Sequence, residues 1–405
     1  MRLTHLSLSN FRNFTRLDVE VPDGPVLLVG DNAQGKTSLL EAIYYLATLD
    51  SFHASNQRQL INFLAGREDL AVARIVAAFE SLGQAHRLEI RLIQETSRGS
   101  TPSVRKEILY DGRKVRSGDV LGQFNAVLFL PHMLSVVDGA PDERRRYLNL
   151  ALSQVEPGYD QVLGDYHKAL TQRNALLKQL SERQGDPGQL DFWDEVLSDA
   201  GSRLVQARAR AVLELDRFAR SAHNELTRGS EVLRLSYQPA YDPSPAENGV
   251  ELVSPAALAE RAAVPLQDIR RGFWQRLLQS RAEEINRGLT TVGPHRDELR
   301  LVSNGIDLGL YGSRGQIRTA MLSLKLAEVE WMKDKTGQWP VLLLDEVLAE
   351  LDAQHRQDLL GRLVLSEQTL LTTTDLDLFS QEFINRTALW RVHAGRLIEE
   401  VNHVF

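Results

Sequence analysis

The sequence predicts an α/β fold split by a mostly helical second domain. Three observations predict it. Short apolar runs at 26–29, 126–130 and 341–344 suit strands buried on both faces of a parallel sheet, and 368–371 reads as another strand. Between about 141 and 229 the pattern turns helical, with Leu204, Ala207, Ala211, Leu215, Phe218, Ala222 and Leu226 at three-four spacing. The α/β pattern then resumes near 298, and motifs of matching chemistry lie on both sides of the helical stretch. The expected division is 1–140 and 291–405 as two parts of one domain, with 141–290 as the helical insertion.

The elements follow in order. Leu3, Leu6 and Leu8, then Leu17, Val19 and Val21, are spaced for half-buried strands. Residues 26–48 read as strand, glycine loop and helix, the helix marked by Leu39, Leu40, Ile43, Tyr44, Leu46 and Ala47. Segments 71–79 and 88–93 are further strands, and Asp111-Gly112 is a hairpin signal. Pro141, Asp142 and Glu143 open a helix well, with proline in the first turn and carboxylates at the positive end of the dipole. Residues 239–255, rich in Pro and Ser, read as loop, and 265–287 and 316–332 as helices. Residues 389–392 and 396–398 can pair around Gly395.

Composition narrows the function. The 405 residues allow two or three domains. With no cysteine, disulfides, thiolate metal sites and cysteine nucleophiles are excluded. No apolar run reaches the ~18 residues of a membrane span, and residues 1–13 lack the apolar core of a signal peptide, so a cytoplasmic protein without a membrane is expected. The net charge is −7. Residues 151–270 carry 13 Lys+Arg against 18 Asp+Glu, so the helical region is itself acidic. A polyanion partner would therefore need local basic patches or a bound cation.

Gly30-Asp31-Asn32-Ala33-Gln34-Gly35-Lys36-Thr37 fits G-x-x-x-x-G-K-[ST], and Ser38 follows it. Its glycines let the backbone turn N–H groups onto phosphate oxygens, and the next helix points its positive end at the same anion. Lys36 is placed to reach the outer phosphates and Thr37 to hold Mg²⁺. Four fixed positions match by chance in roughly one chain in a hundred of this length. At 341–346, four apolar residues run into Asp345-Glu346. On a parallel strand Asp345 emerges at the C-terminal edge, where ligands bind. Asp345 can hold Mg²⁺ through water, and Glu346 can act as general base on an attacking water. Together these imply ATP and Mg²⁺, with Lys36, Asp345 and Glu346 as the catalytic set.

Ser313-Arg314-Gly315-Gln316 precedes a helix and forms a second candidate anion site, with a plain N-cap as the simpler reading. One chain needs one phosphate loop. A second site makes sense if it serves the nucleotide of another copy.

The order Gly-Lys-Thr loop, long insertion, Ser-x-Gly-Gln, Leu-Leu-Asp-Glu and Leu351-Asp352 resembles ABC/SMC-like ATPase heads, and more closely the bacterial RecF family. Further segments carry the resemblance: Asn10-Phe11-Arg12-Asn13-Phe14; Leu39-Leu40-Glu41-Ala42-Ile43-Tyr44; Gly139-Ala140-Pro141 with Arg144-Arg145-Arg146-Tyr147-Leu148-Asn149; and Gly293-Pro294-His295-Arg296-Asp297-Glu298-Leu299. Tyr311 through Glu328 resembles the signature helix, and Leu343 through Leu359 the Walker B and D-loop segment. Departures are His132 where the family has an acidic residue and His53 where it has arginine after Ser-Phe. No Q-loop glutamine can be placed, and Thr372-Thr373-Thr374-Asp375 lacks the switch histidine of ABC transporters, as RecF proteins do.

The resemblance implies a slow DNA-linked ATPase of recombinational repair. It implies an ATP-induced homodimer that grips single- and double-stranded DNA at gaps and works with RecO, RecR and RecA. Arg12, Ser313, Gly315, Gln316 and Asp352 join the nucleotide set on the same ground. For DNA, Arg105, Lys106, Arg113, Lys114 and Arg116 around the hairpin form a candidate patch. Arg144, Arg145 and Arg146 read either as phosphate contacts or as a solvated face paired with Asp142 and Glu143. His295 and Arg296 read as a structural turn, and no His/Asp/Glu cluster has zinc spacing. Two alternatives stay open. A transporter ATPase usually carries the switch histidine. An SMC-head nuclease needs an added domain, and only about 30 residues follow Asp375.

Overall fold

The computed structural model describes residues 1–95, 103–244, 255–363 and 366–401, so part of the expected 239–255 loop lies outside the described residues. In chain order the first stretch gives β1 (Arg2–Phe11), β2 (Phe14–Glu20), β3 (Gly24–Val29), α1 (Lys36–Thr48), β4 (Leu70–Ser81), β5 (Gln84–Glu95), β6 (Ser103–Tyr110), β7 (Arg113–Val115), α2 (Ser117–Val120) and β8 (Ala126–Phe129). The middle gives α3 (Ser135–Asp138), α4 (Pro141–Val155), α5 (Tyr159–Ser181), α6 (Leu190–Leu226), β9 (Leu233–Gln238), α7 (Pro255–Ala263), α8 (Leu266–Arg287), β10 (Glu298–Ser303), β11 (Ile306–Asp307), α9 (Leu308–Tyr311) and α10 (Arg314–Thr336). The last stretch gives β12 (Val341–Asp345), α11 (Ala353–Leu363), β13 (Gln368–Thr373), α12 (Gln381–Asn385), β14 (Ala388–His393) and β15 (Arg396–Val401). Among the described residues no helix is long and apolar enough to cross a membrane.

The chain forms two compact units, Met1–His132 with Met332–Phe405, and Met133–Trp331. These limits differ from the 141–290 insertion read from the sequence. β10 pairs antiparallel with β9, Leu299 opposite Tyr237, and this ties residues 298–303 to the helical unit. β9 is an addition to the sequence reading: its six residues fall between the helical pattern that ends near 229 and the loop that begins at 239.

In the first unit the described strands form two sheets, ordered β15-β14-β3-β13-β12-β8 and β2-β1-β4-β5-β6-β7. The apolar run of β3 lies between β13 and β14, both parallel to it, with Leu27 opposite Leu371 and Leu389. Val26, Leu27 and Leu28 are fully buried, as a strand covered on both faces requires. α1 touches β8, β12 and β13 of the parallel sheet and β4 of the antiparallel one. Contact on both sides explains why even Glu41 and Tyr45 on this helix are buried. The N-terminus is stitched to the last third of the chain. The Gln368 amide accepts from Leu3 N at 2.8 Å and donates to the carbonyls of Leu3 and Pro22.

In the second unit α5, α6 and α8 pack together, and β9 lies along α6. Leu197, Leu204, Val205, Ala209, Val212, Leu215 and Ala219 form a fully buried stripe on α6. Its interior also holds charge. Arg173 pairs with Asp194 at 2.6 Å and Glu284 at 2.7 Å, all three fully buried. Arg208 pairs with Asp297 at 2.7 Å, while Tyr237 Oη and Ala240 N donate to the same carboxylate.

This packing corrects one sequence reading and agrees with another. Arg144 is neither a phosphate contact nor a solvated residue. It is 6% exposed, meets Glu298 through Nε and Nη2, and donates to Gly139 O at 2.7 Å. Arg145 donates to Asp297 O. His295 and Arg296 do sit in a structural turn. His295 faces Tyr166 Oη at 2.6 Å, and both side chains reach Thr290 O. Burial, more than any neighbouring charge, lowers the His295 pKa to about 4.

Candidate functional site

The phosphate-loop cleft is built from the first unit alone. β3 ends at Val29, the chain turns through 30–35, and α1 begins at Lys36. Two glycines allow that path. A Cβ on Gly30 would lie 2.4 Å from Val392 O, and Gly35 has φ +121 with Asn13 Nδ2 2.7 Å from where a Cβ would be. The crest of the loop is clamped. Gln34 O accepts from Asn13 Nδ2 at 3.0 Å and Gly395 N at 2.9 Å, and Gln34 Oε1 accepts from Ala394 N at 2.7 Å. Sequence reasoning missed this use of Ala394 and Gly395. The hairpin signal at Gly395 was present, but nothing local tied it to residue 34.

Lys36 is 3% exposed and donates to Gly30 O at 2.6 Å and Asp31 O at 3.0 Å, with Glu346 Oε1 3.2 Å away. Thr37 Oγ1 lies 3.0 and 2.9 Å from the two carboxylate oxygens of Asp345. Thr372 then positions both acidic residues. Its hydroxyl donates to Asp345 Oδ1 at 2.7 Å and accepts from Glu346 N at 3.0 Å. Glu346 is held at φ 52, the left-handed region that non-glycine residues seldom adopt. The first threonine of the 372–375 run thus takes part in the site, which the missing histidine alone did not reveal.

Asn32 through Ser38 line a cleft of about 790 Å³ together with Arg12, Asp345 and Glu346. Arg12 grips buried Glu41 with Nε at 2.6 Å and Nη2 at 2.7 Å, and donates to Gln59 O. Ser51 also donates to Glu41 and accepts from His53 N and Ala54 N, so the departure at His53 leaves that turn intact. Asp352 does not line the cleft. Its carboxylate accepts from His355 N at 2.9 Å and caps α11, and that bond lowers its pKa. The side chain of His132 lies outside the described residues.

The Ser313 turn belongs to the second unit. Ser313 N donates to Gln316 Oε1 and Gln316 N to Ser313 Oγ, a reciprocal cap that leaves Ser313 and Gly315 exposed. Gln316 Nε2 reaches Glu231, which also accepts from Ser303. Burial raises the Glu231 pKa, but bonds from Ser303, Gln316 and His223 outweigh it and hold the carboxyl low. In the hairpin patch, Arg105 and Lys114 share Glu107 and remain exposed.

A nucleotide with Mg²⁺ fits these residues. Mg²⁺ held with phosphates takes one or two protein oxygens and keeps waters, and Thr37 and Asp345 supply oxygens converging at one point. Among the described residues no cluster of three or more His, Asp or Glu offers a separate metal site.

Comparison with known proteins agrees with this architecture. The model of the RecF/RecN/SMC N-terminal domain family matches residues 2–392. The chain is 41% identical to the DNA replication and repair protein RecF of Roseiflexus castenholzii, over 98% of this chain and 99% of that one. It is 37% identical to the RecF protein of Lacticaseibacillus paracasei, with the same coverage. A solved structure of the recombination mediator protein RecF with ATP, from the RecFOR pathway, superposes with TM-score 0.82 at 29% identity, covering 99% of this chain and 98% of that one. The Smc head domain of Pyrococcus furiosus shares the fold at TM-score 0.52 and 15% identity, covering 99% and 96%. The protein belongs to the RecF/RecN/SMC N-terminal domain family and, within it, to the RecF proteins of DNA replication and repair.

Proposed function

We propose that this RecF protein is an ATP-driven DNA clamp. The observation that carries the reading is the convergence of Lys36, Thr37, Asp345 and Glu346, from segments some 300 residues apart, on one cleft. The 32–38 backbone and Lys36 bind the phosphates, the lysine exchanging its carbonyl partners for phosphate oxygens. Thr37 and Asp345 would hold Mg²⁺, which when bound neutralises phosphate charge. Glu346, kept beside Lys36 and oriented through its backbone by Thr372, takes a proton from the attacking water. Arg12 fixes the cleft wall through Glu41.

Ser313 and Gly315, exposed at the N-terminus of a 23-residue helix, serve the phosphates of a second copy, and the two copies close around nucleotide. Gln316 holds that turn in shape. The closed pair grips gapped DNA, the exposed cations near the hairpin contributing, and hydrolysis releases it. Family membership favours this reading over a transporter subunit or a nuclease. It extends the partner list to RecO, RecR and RecA.

Light scattering with and without ATP·Mg²⁺, then with gapped DNA, tests the reading. The expected result is a monomer that becomes a dimer with ATP and then retains DNA. A protein that binds ATP yet stays monomeric under every condition reduces Ser313 to a helix cap and overturns the clamp.

A further inference from the structure

Among the large exposed hydrophobic side chains of the described residues, two pairs are adjacent in sequence. Phe63 and Leu64 are adjacent and 72% and 69% exposed, and Leu310 and Tyr311 are adjacent and 64% and 77% exposed. Isolated exposed apolar residues need no explanation, whereas contiguous exposed apolar area marks contact surfaces, and a neighbouring pair on fixed backbone can contribute to one.

Both pairs are on fixed backbone. Asn62 anchors the first: its N–H donates to Asn10 O, its Nδ2 donates to Arg12 O at 2.7 Å, and its Oδ1 accepts from Leu64 N at 3.0 Å. The Arg67 guanidinium stacks on the Phe63 ring at 4.6 Å. The second pair rides on α9. Asp307 caps this turn by accepting from Gly309 N, and Gly312 N closes it on Leu308 O.

Their locations correspond. Phe63 and Leu64 line the mouth of the phosphate-loop cleft. Leu310 and Tyr311 lie just before Ser313, with Gly312 between, at the exposed positive end of α10 beside Arg314. A cleft filled with phosphates is anionic, and the turn at 313–315 is its electrostatic complement.

We propose that Phe63 and Leu64 of one copy form an apolar clasp with Leu310 and Tyr311 of a second copy, sealing the bound nucleotide as Ser313 reaches it. The clasp rests on the clamp reading and adds to it the groups that expel water around the phosphate contact. Charge contacts at Ser313 strengthen once that water is gone.

The natural chain has no cysteine, which gives a direct test. Phe63→Cys and Tyr311→Cys copies are mixed and treated with a short bismaleimide, with and without ATPγS·Mg²⁺. A cross-linked dimer should form in the mixture, only with nucleotide, and in neither variant alone. Leu64→Cys with Leu310→Cys provides a second pair. Tyr311→Asp should weaken the nucleotide-dependent dimer at least about tenfold, while nucleotide affinity of the monomer is retained. A nucleotide-dependent dimer in light scattering without either cross-link overturns the clasp and leaves the clamp standing. Nucleotide binding without any dimer overturns both.

Discussion

The two units each gather charged residues from distant segments, and do so to opposite effect. In the phosphate-loop cleft, Lys36, Asp345 and Glu346 face a cavity open to a ligand. Around Asp297 in the helical unit, Arg208, Tyr237 and Ala240 N satisfy a carboxylate that is 2% exposed. Asp297, like the cleft residues, lies in a segment that resembles a RecF motif, so resemblance alone did not separate the two. Enclosure does. A charged group that faces solvent-filled space can exchange partners. One closed on every side holds the fold, and losing a partner leaves a buried charge uncompensated.

That contrast can be broken by experiment. The largest effect is expected from Asp297→Ala, which strands Arg208 and should cost about 3–5 kcal/mol. Urea unfolding should show the loss, with nucleotide affinity retained; unchanged stability with lost affinity would invert the comparison. Glu346→Gln should slow phosphate release about 100-fold or more with binding intact. Rapid turnover in this variant would remove Glu346 from the chemistry. Lys36→Ala should weaken ATP binding by roughly 10- to 100-fold, the loss of a charge-assisted contact, and scarcely move the unfolding midpoint. Isothermal titration measures it, and an unchanged affinity would sink the role of the loop lysine.

The smallest effect is a pH dependence confined to the helical unit. His295 titrates near 4 in the fold and about 6.5 when unfolded, so the unfolded chain binds the proton more readily between those values. Stability is therefore full above pH 6.5 and declines as pH falls toward 4. At pH 5 the decline should be about 1–2 kcal/mol, read by hydrogen exchange of α5 and α6. His295→Gln should reduce it, leaving the same-sign contributions of His167 and His223, whose pKa values burial also lowers, and an equal decline in that variant would assign the effect to them alone.

Local signals made the head legible. The apolar run at 26–29, the glycines and the helical spacing after Lys36 each report on their own neighbourhood, as does the run into Asp345-Glu346. What stayed hidden depended on distance along the chain. Nothing near Arg144 announces Glu298, nothing near Gln34 announces Gly395, and the exposure of Phe63 and Tyr311 is invisible to periodicity. The same blindness moved the domain limit, since the β9–β10 pairing and the Arg144–Glu298 pair tie 298–303 to the helical unit.

The seating of β3 between β13 and β14 also sets an order of events during synthesis. Leu3 and the Gln368 amide that holds it are separated by 365 residues. At roughly 5–20 residues per second, a ribosome needs roughly 20–70 seconds to cover that distance. The helical unit, continuous in sequence, emerges whole in that interval. The phosphate loop is among the first segments made and among the last to be framed. A chain stalled before residue 368 carries its Gly-Lys-Thr sequence on a strand without either neighbour. Such fragments should be captured by chaperones rather than by nucleotide.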